Sequence, residues 1–285
     1  MATRAQARNG VRGPGRRGCG LGAFCAPPGA TCYVHPMTDT PCGNFRRVSN
    51  YDDLVERDKD HDCPGMGPHH ICVRVEAVAE LPSRFGRFKI IGFWNNRDGK
   101  DHVALVHGDI MGRDDVPTRL HSECLTGDAI GSLRCDCRDQ LEVALRRISM
   151  LERGLVLYMR QEGRGIGLVN KLKAYALQDR GLDTVEANLA LGFRDDERDY
   201  EVAAHMLASL NVGSIKLLTN NPRKVNELQR LGITVSGRIP HVIPATEWNR
   251  FYLETKATRS GHLIEFDGKP HLPEQNDPVI VEEDA

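Results

Sequence analysis

Three cysteines in the middle of the chain, Cys124, Cys135 and Cys137, follow a C-x10-C-x-C pattern. Thiolates one residue apart cannot pair with each other without severe strain, yet both can face one metal if the chain bends between them. Cys124 reaches them from a loop containing Gly127 and Gly131, and the three sulfurs then form a tripod. Three protein ligands with a fourth position open is the arrangement of a catalytic zinc, whereas structural zinc is usually closed by four. A metal held in this way binds a water and draws its pKa towards neutrality. Two other readings stay open on spacing alone. One is three buried cysteines with no metal. The other is a structural site closed by a fourth ligand, for which His121 is the nearest candidate.

Two further stretches have the pattern of anion-binding turns. The apolar run at 155–158 reads as a buried strand. Arg160-Gln-Glu-Gly-Arg-Gly-Ile-Gly-Leu168 follows it, and a helix then runs through Gln178 with Gly181 at its end. Strand, glycine-rich turn and helix start aim backbone N–H groups and the helix dipole at an anion, and Arg164 adds charge-assisted bonds. Residues 214–219 repeat the arrangement as a strand. Asn220-Asn221-Pro222 follows, with proline at about the first helical position and Lys224 in the first turn. Taken singly, each turn also reads as a plain tight connection. In the helix at 195–210, Val202, Ala203, Met206, Leu207 and Leu210 form one face, and the acidic cluster at its start suits the helix dipole.

The elements that must position these groups are visible in the hydrophobic periodicity. From about 71 to 110 the period is two: Val73, Val75 and Ala77 alternate with Arg74 and Glu76. The runs at 88–94 and 102–107 flank a loop containing Asp98-Gly99 and predict a hairpin, with His102 and His107 as ordinary strand residues. Leu141, Ala144, Leu145 and Ile148 recur at helical spacing, with Gly154 as the residue just past the helix end. Strands alternating with helices over 115–240 argue an α/β sheet. The predicted architecture is α/β, a mixed sheet flanked by helices, with a small antiparallel β module at the N-terminal side. Residues 241–262 read as helix and connector, with Arg250, Lys256 and Arg259 as surface charge. The predicted divisions are a disordered Arg/Gly/Cys-rich extension at 1–45, a β-rich region at 46–114, a catalytic core at 115–263 and an acidic disordered tail at 264–285.

Composition narrows the class. The chain has 285 residues, 40% hydrophobic and 27% charged, with net charge −1. It is large enough for a real core, has no global field for nucleic acid or membrane, and has no apolar run near the ~20 residues that span a bilayer. Nine cysteines, an odd number with three in a metal-like cluster, suit a reducing cytoplasm better than a disulfide framework. Cys19, Cys25, Cys32, Cys42, Cys63 and Cys72 receive no role. The first residues carry Arg4, Arg8, Arg12, Arg16 and Arg17 with no acid before Asp39. They read as a disordered leader, or as sequence ahead of a true start at Met37, in preference to a transit peptide. No G-x-x-x-x-G-K-[ST], G-x-S-x-G or H-E-x-x-H occurs.

Several separate blocks together resemble the GTP cyclohydrolase II family from about 70 to 263. They are Arg119-Leu-His-Ser-Glu-Cys124, Ser132-Leu-Arg-Cys-Asp-Cys137, Arg160-Gln-Glu-Gly-Arg164, Ala174-Tyr-Ala-Leu-Gln178, Asp183-Thr-Val-Glu-Ala-Asn188, Asp196-Glu-Arg198 and Leu218-Thr-Asn-Asn-Pro222. The resemblance implies one zinc ion per subunit on Cys124, Cys135 and Cys137. It implies GTP binding by Arg119, Leu120, His121, Ser122, Glu123, Gln140, Glu162, Gly163, Arg164, Thr184, Thr219 and Lys224. Asp196 matches the family's proton acceptor, Arg198 its nucleophile, and Tyr175 an active-site tyrosine. The implied reaction uses a zinc-activated water to open the guanine imidazole at C8. It releases formate and diphosphate and gives 2,5-diamino-6-(5-phosphoribosylamino)pyrimidin-4(3H)-one, the first step of riboflavin biosynthesis. Magnesium on the triphosphate, a homodimer, and a cytoplasmic setting without nucleic-acid or membrane partners are implied with it. The acidic motifs of the dihydroxybutanone phosphate synthase domain are not present, so a single activity is expected. A guanidinium is always charged and a poor nucleophile, so an electrostatic role for Arg198 stands beside the covalent one. The rivals are a related cyclohydrolase that retains the formyl group and a non-catalytic zinc- and GTP-binding regulator.

Overall fold

The computed structural model describes residues 48–270, apart from 49, 62–64, 66–68 and 267–268. The extension expected at 1–45, five of the six cysteines without a role, and most of the tail expected at 264–285 lie outside the described residues, while residues 265–266 and 269–270 of that tail pair as a short antiparallel ladder. Cys72 is buried.

A short helix, α1 (Asp53–Asp58), precedes three strands: β1 (Val73–Ser83), β2 (Gly86–Asn95) and β3 (His102–His107). They form an antiparallel meander, and the predicted hairpin is present with Phe93 opposite His102. The chain then alternates strand and helix. β4 (Val116–Ser122) leads to α2 (Cys137–Ser149) and β5 (Gly154–Met159), followed by α3 (Leu168–Gln178), α4 (Thr184–Ala190) and α5 (Glu201–Ser209). Last come β6 (Ile215–Leu218), α6 (Pro222–Arg230), β7 (Val235–Ile239) and α7 (Arg250–Ser260). These seven strands join one mixed sheet in the order β1-β2-β3-β5-β4-β6-β7. The meander is its antiparallel half, because β3 pairs antiparallel with β5. β5, β4, β6 and β7 run parallel.

Both sheet faces are covered, which explains the continuous apolar run of β5. Leu155, Leu157 and Met159 join the main core with α1, α5 and α6, while Val156 packs on the other face with Phe88, Leu145 and Ile148 of β2 and α2. The helix read at 195–210 begins only at Glu201. It is buried nearly all round, so the acidic cluster before it is a loop and not a solvated first turn.

Gly154 is not a helix-capping residue. Helix α2 ends at Met150, and Gly154 opens β5. A Cβ there would sit 2.9 Å from Ile148 Cγ2 and 3.0 Å from the Pro117 carbonyl oxygen, so close packing excludes a side chain. Gly154→Val is expected to destabilise the protein by about 1–3 kcal/mol through overpacking, read by denaturant unfolding.

β4, β5 and β6 are parallel, so their carboxyl ends open on one edge of the sheet. In open α/β sheets, ligands bind outside the carboxyl ends of the strands, where the strand order reverses. Here chain order and strand direction both change around β4 and β5.

Candidate active site

Cys124 leaves the end of β4 and enters a π-helical turn at Leu125–Ala129, while Cys135 and Cys137 lie at the start of α2. The three Sγ atoms lie within 4.8 Å of one another, and Cys124 Sγ is 3.6 Å from Cys135 Sγ. Zinc–sulfur bonds of about 2.3 Å in a tetrahedron separate sulfurs by roughly 3.8 Å, so the donor set fits one zinc-sized ion. Gly127 makes the cluster possible: a Cβ there would sit 2.9 Å from Cys135 Sγ and 3.0 Å from Cys124 Sγ. The Cys135 and Cys137 thiols, helped by Lys171, hold the Cys124 thiol below its ordinary value, while Cys135 and Cys137 are pushed up. Three sulfurs this close cannot ionise together unless a cation joins them.

Groups around the tripod fix it in place. Asp128 Oδ2 accepts the Cys124 backbone N–H at 2.9 Å and the Tyr158 hydroxyl at 2.9 Å. The same carboxylate accepts from His121 Nε2 at 3.1 Å, and the His121 ring stacks on Tyr158. His121 Nε2 is therefore engaged by Asp128, and the cluster among the described residues contains three cysteines only. The alternative of a structural site closed by His121 is not supported by this geometry.

Lys171, a residue that the sequence reading passed over, lies behind Cys124. Its buried ammonium donates to Cys124 Sγ at 3.0 Å, Thr126 Oγ1 at 2.9 Å and Glu162 Oε1 at 2.8 Å. Burial opposes its charge, but Cys124 and Glu162 outweigh burial and raise its pKa. Glu162 also accepts from Leu125 N at 2.6 Å and Gly163 N at 2.8 Å, so its side chain braces the loop. Outer partners of a metal ligand commonly govern affinity by about 10- to 100-fold. Lys171→Met is expected to weaken metal retention by that much in chelator competition, with Lys171→Arg less affected.

Two cavities adjoin the tripod. The first contains Glu123, Cys124, Cys135, Gly163, Tyr175 and Thr184 in its wall. Tyr175 OH lies 3.3 Å from Thr126 Oγ1, and the Arg134 guanidinium covers the Tyr175 ring at 4.5 Å. The second is rich in cations: Arg119, Lys224 and Lys256 line it together with His121, Gln140 and Thr219. Ser122, Cys137, Arg164, Arg198 and Tyr252 border both.

Within the second cavity the cations are held in fixed directions. Arg119 donates to the Leu218 carbonyl at 2.8 Å and to Gln140, and burial pulls its pKa down to about 10. Lys224 donates to the Leu120 carbonyl at 2.9 Å; burial, with Arg119 and Arg198 nearby, lowers its pKa well below the ordinary value. An arriving anion would reverse that cost. Leu120 itself points into the core, so only its backbone serves the site. Arg198 makes a paired contact with Asp196, Nε donating to Oδ1 at 2.8 Å. Burial opposes the Arg198 charge, but Tyr200 and Asp196 outweigh it and hold the guanidinium protonated. Burial also works to raise the Asp196 pKa, yet the bonds from Arg198 keep it below the carboxylate range. Arg119 Nε, His121 Nδ1 and Ser122 Oγ are buried with no hydrogen-bond partner among the described residues. Buried polar atoms are rarely left so, and all three belong to residues lining this cavity.

The two strand–turn–helix units differ. Asn221 caps α6 by accepting from Arg223 N at 3.0 Å, Pro222 is at its first position, and Thr219, Asn220, Asn221 and Lys224 line the cation-rich cavity. The glycine-rich turn instead contributes Gly163 and Arg164, while residues 167–170 at the start of α3 line neither cavity. Only the second helix start therefore opens on the cation-rich cavity, while the glycine-rich turn brings Arg164 to both cavities. Arg164 has φ 59°, a left-handed conformation that costs a non-glycine residue about 1 kcal/mol or more. It pairs with Asp195, and its carbonyl accepts from Glu197 N at 2.9 Å. These contacts draw the 195–199 loop against the turn. Lys256, expected on the surface, is buried and donates to Asp136 Oδ1 at 2.9 Å. Arg250 and Arg259 are exposed as expected, Arg259 pairing with Asp183.

A cluster of three cysteine sulfurs and a cation-lined pocket share one wall, an arrangement suited to an anionic small molecule. The family described as GTP cyclohydrolase II matches residues 73–240. The GTP cyclohydrolase-2 of Picrophilus torridus is 57% identical over 186 residues, covering 65% of this chain and 96% of that protein. The GTP cyclohydrolase-2 of Proteus mirabilis is 55% identical over 188 residues, 66% of this chain and 94% of that one. The riboflavin biosynthesis protein RibBA of Bacillus subtilis is 46% identical over 256 residues, 86% of this chain and 63% of that one. The last match extends beyond the 70–263 expected from the motifs. This chain belongs to the GTP cyclohydrolase II family.

Proposed function

We propose that the protein converts GTP and water to 2,5-diamino-6-(5-phosphoribosylamino)pyrimidin-4(3H)-one, formate and diphosphate, the first step of riboflavin biosynthesis. Family membership supports the activity. The observation that carries the reading of the site is the wall shared by the tripod cavity and the cation-rich cavity. One nucleotide can then present its base to the cysteines and its phosphates to the cations.

The donor set suits zinc, which when bound would polarise water for attack at C8 and again at the resulting formamide. The chain's own residues bind and orient the substrate. Glu123, in the tripod cavity wall, offers a carboxylate to the guanine N1–H and 2-amino edge. The Tyr175 hydroxyl, held near Thr126, orients the opened ring and donates to the intermediate. Burial raises its pKa, so it stays a donor at neutral pH.

The triphosphate lies among Arg119, Arg198, Lys224 and the start of α6, with Arg164 at the join. Arg198 acts by charge: the bonds from Asp196 fix its direction and keep it protonated, which opposes nucleophilic attack by the guanidine. It faces the charge that develops on the α-phosphate as diphosphate leaves. Magnesium on the phosphates would share that neutralisation. A homodimer and a cytoplasmic setting complete the reading by family resemblance. Among the described residues, no helix is long and apolar enough to cross a membrane.

The test is product stoichiometry. Purified protein with GTP and magnesium should give formate, diphosphate and the diaminopyrimidine in equal amounts. Ring opening with the formyl group retained would point to the related cyclohydrolase, and GTP binding without any product would point to the regulator.

A further inference from the structure

Helix α7 lies beyond the residues that the family match covers. It nevertheless presents Tyr252, Lys256 and Ser260 at four-residue intervals, which places them on one face. Tyr252 and Lys256 line the cation-rich cavity. Ser260 Oγ donates to Asp195 Oδ2 at 3.3 Å, the carboxylate that also holds Arg164. One face of a C-terminal helix thus closes the site.

Lys256 has unusual surroundings for a lysine on a terminal helix. Its side chain is 9% exposed, and its ammonium lies 4.3 Å from the Tyr252 ring centre. Its anionic partner is Asp136, whose second oxygen accepts from Gln140, which in turn accepts from Arg119. Asp136 therefore ends a relay of bonds that begins at a cavity arginine. An ammonium has three donors, so Lys256 can keep Asp136 and still give a bond to a ligand oxygen. With Arg119, Arg198 and Lys224 in the same cavity, the oxygen it meets belongs to an anion.

We propose that Lys256 is a substrate-binding residue that contacts the phosphate chain of the nucleotide from α7, with Asp136 holding its ammonium in position. The proposal rests on the reading of this cavity as the triphosphate site. Because the lysine lies beyond the residues 73–240 that the family model matches, a segment outside that match becomes part of the binding site.

The test uses full-length Lys256→Met and Lys256→Gln, with inorganic diphosphate as the probe. Glutamine keeps a donor for Asp136 while removing the charge, which guards against simple misfolding of the methionine variant. Both variants are expected to raise KM for GTP and Ki for diphosphate by about 10- to 100-fold, the usual range for a bond to a charged group. Metal content should be unchanged, and Lys256→Arg should recover most of the affinity. KM and Ki within twofold of the parent, with only the melting temperature lowered, would overturn the proposal and leave Lys256 as a tether for α7. Parent protein that turns over GTP yet is indifferent to diphosphate would count against it too. Parent protein inactive on GTP would instead remove the reading of the cavity on which the proposal stands.

Discussion

Cys135→Ser protein is expected to lose its metal and its formate release together. The three sulfurs are the whole donor set in the cluster, and Cys135 is buried against Cys124 at 3.6 Å. Zinc binding by thiolate-rich sites is worth about 10–16 kcal/mol, so one ligand in three accounts for roughly 3–5 kcal/mol, or on the order of 10²- to 10⁴-fold in affinity. A serine hydroxyl is too weakly acidic to replace the thiolate. Metal content by atomic emission, measured beside formate release, checks both halves. Nucleotide affinity should change far less, because Arg119, Lys224 and the start of α6 are fixed by the sheet and not by the sulfurs. A variant that kept full formate release with no metal would remove the tripod from the chemistry.

The second large effect is expected at Arg198. Arg198→Met should lower kcat by about 10²- to 10³-fold, the usual consequence of deleting a group that faces developing charge. Asp196→Asn separates the two accounts of this pair. Asparagine still accepts one bond, so Arg198 stays protonated and roughly in place. The loss should then be near the value of one charged hydrogen bond, about 1.5 kcal/mol or tenfold. If Arg198 attacked phosphorus and Asp196 took its proton, the asparagine variant would be as inactive as Arg198→Met. A phosphoryl group would then appear on Arg198 by mass spectrometry of rapidly quenched enzyme. The bonds seen between them favour the first outcome, since both oxygens of Asp196 are committed to Arg198.

Features set by local sequence were legible. The alternation of Val73 and Val75 with polar neighbours, the apolar run of β5, Pro222 at the start of α6 and the spacing of the three cysteines each carry a short-range physical signature. The structure returned them, except that a bulge between Val75 and Ala77 ends the alternation and leaves Ala77 exposed. What escaped depends on partners far along the chain. Lys256 looks like a solvated helical lysine until Asp136, 120 residues earlier, is brought against it. Lys171 lies in an ordinary helical pattern, and its importance comes from Cys124, which is 47 residues away. Gly154 suggested a helix end because glycine usually does that work, whereas here the reason is the closeness of Ile148 and Pro117. The glycine-rich turn matched an anion-binding pattern in sequence, and what that pattern could not reveal is the close approach of the 195–199 loop, where a Cβ at Gly165 would sit 2.8 Å from the Glu197 carbonyl oxygen.

If the two cavities and the tripod serve one substrate, both products must respond together to removal and return of the metal. Protein stripped by chelator and incubated with GTP and magnesium should release no formate, and reloading with zinc should restore formate and diphosphate in equal amounts. Formate release that survives complete stripping would contradict the assignment of the three cysteines and the account built on them.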